Sequence, residues 1–125
     1  PRSTLFPYTT LFRSSTPEEI STSLRWVAML SDRVYCDVCA STGVHDSEGL
    51  IKQLLAGAKA VQIASTLYKN GFDRIDEMNA GLNAWMDQHG YEKTEEFIGK
   101  MSFKKAENPG AYERVQFMKH FAGIE

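Results

Sequence analysis

Residues 34–66 read VYCDVCASTGVHDSEGLIKQLLAGAKAVQIAST, and the order of elements inside this stretch decides the fold. Residues 34–40 are mostly apolar and β-favouring, which predicts a strand buried on both faces. Ser41-Thr42-Gly43 then breaks it. A helix is expected over about 46–56, with Leu50, Ile51, Leu54 and Leu55 facing inward and Gly57 where a left-handed C-terminal cap belongs. A short apolar strand, Ala60-Val61-Gln62-Ile63, comes next. Strand, helix, strand with short connections is the βαβ unit. It implies two parallel strands joined by a right-handed crossover, and therefore an α/β fold.

Outward from this unit the pattern turns helical. Upstream, Thr16-Pro17-Glu18-Glu19 is a helix start: Thr16 as N-cap, Pro17 at a position where its missing N–H costs nothing, and Glu19 completing a capping box. That helix should run to about Leu30 and pack through Ile20, Leu24 and Val27, with Trp26 and Leu30 beside the stripe. Downstream, a longer helix is expected over about 72–89, where Ile75, Met78, Leu82, Trp85 and Met86 recur at helical spacing and Gly90 ends it. A short helical segment near 94–98 comes after it. A last helix begins at Asn108-Pro109 and carries Tyr112, Val115, Met118 and Phe121.

Bulk properties narrow the function classes. The chain has 125 residues, 42% hydrophobic and 24% charged, which is ordinary for one globular domain. A net charge of −2 provides no basic field for nucleic acid or an acidic membrane surface. No apolar run is long enough to span a bilayer. Two cysteines are too few for a disulfide-stapled secreted scaffold, so a reducing cytoplasm is the expected compartment.

Chemistry is most legible where the two strands end. Ala40-Ser41-Thr42-Gly43 and Ala64-Ser65-Thr66 are small-residue loops, through which backbone can approach a ligand closely and present amides to an anion. Side by side they form a candidate phosphate cradle, although small residues after a strand are also ordinary turn chemistry. Cys36 and Cys39 have C-x-x-C spacing. On a strand, residues three apart face opposite ways, and no second such pair completes a zinc site, so both are expected as buried thiols and no metal site is expected. His45 and Asp46 read as helix entry and capping. His89 and His120 read as helix-surface residues. No complete catalytic constellation can be assembled from local motifs.

Residues 1–14, PRSTLFPYTTLFRS, fit no element. They contain no acidic residue, and Pro7, Thr9 and Thr10 interrupt any apolar run, so they do not read as an export signal. A widely used short-read sequencing adapter, translated in frame, resembles them one for one. The expectation is a non-native segment over 1–14, joined in frame to a piece of a real gene that begins at about Ser15.

Residues 24–71, LRWVAMLSDRVYCDVCASTGVHDSEGLIKQLLAGAKAVQIASTLYKNG, together resemble the C-terminal part of the dihydroorotate dehydrogenase family. AWMDQHGY, FIGKMSFKK and NPGAYERVQFMK resemble its dihydroorotate dehydrogenase-like branch. The resemblance implies a TIM (β/α)8 barrel holding FMN at the C-terminal ends of its strands. Here it implies the last two βα units over 15–90, with strands seven and eight, and a helical C-terminal extension over 91–125. In the family a Gly-Gly pair after strand seven and a small-residue pair after strand eight give amides to the flavin phosphate. The matching positions are Thr42 and Gly43, then Ala64 and Ser65. Thr42 departs from the usual Gly, and it is expected to serve through its backbone if its φ is negative.

By the same resemblance the catalytic base and the Lys and Asn residues near flavin and orotate lie upstream, so no catalytic residue is assigned. From Ser15 onward the chain has under half of the about 250 residues of a complete barrel. The parent is expected to oxidise dihydroorotate, or a similar small molecule, to orotate through FMN in pyrimidine synthesis, with a soluble acceptor such as fumarate and a possible homodimer; the piece alone is expected to be inactive and poorly folded. Two other readings stay open. One is another FMN or phosphate-binding barrel oxidoreductase, since phosphate loops do not define the chemistry. The other is a small non-catalytic interaction domain.

Overall fold

The computed structural model of the chain describes residues 14–105 and 110. The expected last helix, with His120, and nearly all of the adapter-like segment lie outside the described residues. A 3-10 turn over Pro17–Glu19 leads into helix α1, Ile20–Leu30. The Glu19 carboxylate accepts from the Thr16 amide at 2.7 Å, so the capping box forms at the expected place. Val27, Ala28 and Met29 are buried on this helix, while Trp26 and Leu30 remain exposed.

Strand β1 is Cys39–Ala40 and strand β2 is Ala60–Val61; they pair in parallel, Cys39 opposite Ala60 and Ala40 opposite Val61. Between them runs helix α2, Ser47–Ala56. The βαβ order expected from the sequence is therefore present. Its strands are much shorter than expected. Residues 34–37 stand outside the ladder and are exposed, and both cysteines are exposed rather than buried. The physical reason is that the described sheet has only two strands, so nothing covers the outer side of residues 34–39.

Helix α3, Ser65–Asn70, was not expected, whereas helix α4, Asp73–His89, ends at Gly90 as its pattern predicts. Two packed clusters hold these elements. Val27, Ala28, Ala40, Ala56 and Ala58 form one between α1, β1 and α2. Four of these five are alanines, which lets the backbones approach closely. Leu54, Met86 and Phe97 form the other, where α2 meets α4 and the segment after it. A 3-10 turn over Thr94–Glu96 delivers Phe97, which is fully buried.

The chain then straps the end of α2. Gly99 N–H donates to Leu54 O at 3.0 Å and Met101 N–H to Leu55 O at 2.8 Å, while Ser31 Oγ donates to Ala56 O at 3.0 Å. The terminal carbonyls that a helix leaves unpaired are thus satisfied by two segments from elsewhere.

Candidate functional site

The two expected loops lie at the same end of the parallel pair, because parallel strands put both C-terminal ends together. After β1 the chain turns through Ser41, Thr42 and Gly43 and enters α2 at Asp46, whose carboxylate caps the helix by accepting from Gly49 N at 2.8 Å. After β2 it turns through Ala64 into α3. The loops are tied to each other and to α4. The carbonyl of His45 accepts from Thr66 Oγ1 at 3.1 Å and from Arg74 Nε at 2.9 Å. Thr66 is fully buried and Arg74 half-buried, so this tie is shielded from competing water.

Ser15 sits between the loops. Gly43 N–H donates to Ser15 Oγ at 3.1 Å, Ser15 N–H donates to Ser65 Oγ at 2.9 Å, and the two serine hydroxyls are 3.4 Å apart. The buried His45 ring holds Ser15 from the other side, Nε2 to Ser15 O at 3.1 Å. Because a carbonyl only accepts, Nε2 carries the proton in this contact. Gly43 and Ser65 thus both contact Ser15.

Thr42 corrects an expectation. Its φ is +79°, not negative, and it is the one non-glycine residue with positive φ among the described residues. Gly43, at φ +81°, packs so tightly on the start of α1 that a Cβ there would lie 2.7 Å from Ile20 Cα. Thr42 beside it takes a conformation better suited to glycine. Its carbonyl accepts from Ser23 Oγ at 2.9 Å, and that hydroxyl accepts from Gln53 Nε2 at 2.9 Å.

Ala64 and Ser65 stand at the start of α3, where Ala64 brings no capping side chain. Asp46 caps as expected, and His89 is exposed on α4 with its ring stacked on Trp85. Thr66 belongs to the second expected loop, whereas Ser15, Ser23, Gln53 and Arg74 have no local sequence signal that would have placed them here, since each reaches the loops from a distant part of the chain. No cluster of three or more metal-ligating side chains occurs among the described residues. A cavity of about 660 Å3 lies elsewhere, between α1, α2 and α4, and is lined mainly by apolar groups such as Leu24, Ile51, Leu55 and Trp85. None of Thr42, Gly43, Ala64 or Ser65 borders it.

No family model matches the chain. Individual curated proteins do. The chain is 33% identical over 76 residues to the catalytic subunit of dihydroorotate dehydrogenase B (NAD(+)) from Thermoplasma volcanium, covering 61% of this chain and 25% of that protein. The chain is similar to dihydroorotate dehydrogenases. It is also 33% identical over 66 residues to a probable dihydroorotate dehydrogenase A (fumarate) from Streptococcus pneumoniae, covering 53% of this chain and 21% of that one. A dihydroorotate dehydrogenase (fumarate) from Lachancea kluyveri is 31% identical over 65 residues, 52% of this chain and 21% of its own length. The chain spans about a quarter of the length of the dihydroorotate dehydrogenases it matches. Their names divide between NAD(+) and fumarate, so the likeness is to the enzyme type and not to one electron acceptor.

Proposed function

We propose that this chain is the C-terminal part of a dihydroorotate dehydrogenase-like flavoprotein, and that the loops at Thr42-Gly43 and Ala64-Ser65 hold the phosphate of FMN. The observation that supports the reading is that both loops reach Ser15: Gly43 N–H donates to its hydroxyl, which stands 3.4 Å from the Ser65 hydroxyl. A phosphate oxygen placed where Ser15 Oγ stands takes over the Gly43 hydrogen bond, and backbone donors suit an anion because they are fixed before it arrives. Ser15 must move aside for it. Arg74, anchored on the His45 carbonyl and paired through Nη1 with Glu77 at 2.9 Å, stands beside the same loop.

When bound, the flavin would take a hydride from dihydroorotate, giving orotate, and hand the electrons to a soluble acceptor. What this chain's residues contribute is anchoring: they bind and orient the phosphate, and the Thr66–His45–Arg74 tie keeps the loops in register. We assign the proton-abstracting base to the part of the parent barrel that precedes β1, so the chain alone does not turn over. The likeness to partial lengths of named dehydrogenases supports this placement, as does the parallel pair.

The test is titration of the 15N-labelled chain with FMN and with riboflavin, which lacks the phosphate. The expected result is a shift of the Gly43 and Ser65 amides with FMN alone. Equal response to both, or none, overturns the phosphate assignment. Dihydroorotate oxidation by the complete open reading frame that carries this sequence tests the reaction itself.

A further inference from the structure

We propose that Ser23 and Gln53 are positioning residues that decide which way the Thr42–Gly43 peptide faces. This deepens the phosphate reading, and it rests on that reading for what the Gly43 amide is for, not for where it points. In a trans peptide the C=O and the next N–H point in opposite directions. No cis peptide occurs among the described residues. Fixing the Thr42 carbonyl therefore fixes the Gly43 N–H. The carbonyl is held on the α1 side by Ser23 Oγ at 2.9 Å, and the N–H faces the opposite way, into the space between the loops, where it meets Ser15 Oγ at 3.1 Å.

The holding group is itself held. Gln53 lies on α2, is fully buried, and donates to Ser23 Oγ at 2.9 Å, which leaves the single serine proton for a carbonyl; two are in reach, Thr42 O at 2.9 Å and Ile20 O at 3.1 Å, and the Thr42 contact is the shorter. Among the described residues the Gln53 side-chain oxygen has no hydrogen-bond partner. A buried amide that satisfies only its donor side is costly, and a hydrocarbon of the same shape would avoid that cost. Its one side-chain hydrogen bond runs to the hydroxyl that sets the loop, which is the use we assign to it. The restraint is needed because Thr42 is at φ +79°, a conformation that a residue with a Cβ tends to leave. With glycine at 42 that tendency disappears.

The experiment compares the full chain with Ser23→Ala, Gln53→Met and Thr42→Gly, and with Ser23→Ala combined with Thr42→Gly. Amide hydrogen exchange is read at Gly43 and in the middle of α4. Ser23→Ala and Gln53→Met should each speed exchange at Gly43 about fivefold while leaving α4 unchanged, the loss of one hydrogen bond acting locally. Adding Thr42→Gly should restore most of the protection lost in Ser23→Ala. An unchanged Gly43, equal acceleration throughout the chain, or no rescue by Thr42→Gly overturns the proposal. Inorganic phosphate is then titrated into the same proteins. Weaker binding by the Ser23→Ala variant, recovered in the double variant, joins the two readings; if the unsubstituted chain binds no phosphate while the Gly43 pattern holds, the phosphate site fails and the positioning role stands.

Discussion

Gly43 carries the tightest constraint in the site. A Cβ at this position would overlap the backbone nitrogen of Ile20, and the residue also sits at φ +81°, so neither the loop nor the start of α1 can yield cheaply. Gly43→Ala should destabilise the chain by on the order of 3 kcal/mol, strain and overpacking together. Urea denaturation tracked by circular dichroism checks it; a loss below a few tenths of that would mean the loop and α1 separate freely. Gly43 and Ser65 were legible as site candidates because small residues after two parallel strands must come together. The backbone of Thr42 was not, since its carbonyl is held by a hydroxyl nineteen residues away. Ser15 was missed for a similar reason: its partner Ser65 is fifty residues distant, and no spacing rule spans that separation.

Helices were readable where both ends carried a signal. Asp46 and Gly57 bracket α2, and Gly90 closes α4, so each boundary came from a side chain or a glycine doing one local task. Helix α3 escaped because six residues are too few for a period and Ala64 offers no cap. The contact between α2 and α4 turns on Gly81, where a Cβ would lie 2.5 Å from Ser47 Cβ. Gly81→Ala gains about 1 kcal/mol of helix propensity but costs about 1–3 kcal/mol of overpacking. The second exceeds the first. The variant should therefore lower the melting temperature, and Ser47→Gly added to it should return most of the loss; a melt unmoved by Gly81→Ala would show that the helices slide apart without cost. The turn before Phe97 adds a pH dependence. Backbone N–H groups of Lys93 and Glu92 donate to the Glu96 carboxylate, at 3.0 and 2.7 Å, and hold its carboxyl below the ordinary glutamate value. A depressed carboxyl stabilises the folded turn above its unfolded value, and the benefit is lost as pH falls through the folded one. NMR titration should find Glu96 more acidic than a free glutamate, and Glu96→Gln should abolish the accompanying shift of the Lys93 amide.

At the scale of the whole molecule, the described residues form a βαβ unit with a helix on either side, not a closed sheet. Composition foretold a globular domain and the element order foretold parallel pairing, but neither reveals how many strands a chain lacks. Among the described residues both strands have an open edge, Tyr35, Tyr68 and Phe72 are 109%, 93% and 79% exposed, and Val34 beside Tyr35 is partly exposed. Unpaired edges and large exposed apolar groups favour association with another sheet or another copy. If the chain is part of a barrel, as proposed, these surfaces are the ones its missing strands and helices would cover. The chain alone should then self-associate as its concentration rises and melt broadly, and adding Tyr35→Lys, which places a charge beside the open edge, should reduce the association without sharpening the melt. Sedimentation velocity over a dilution series, with calorimetry on the same samples, checks both. A chain that stays monomeric at every concentration and unfolds in one sharp transition would instead be complete in itself, and the two loops would then need a function that does not depend on a barrel around them.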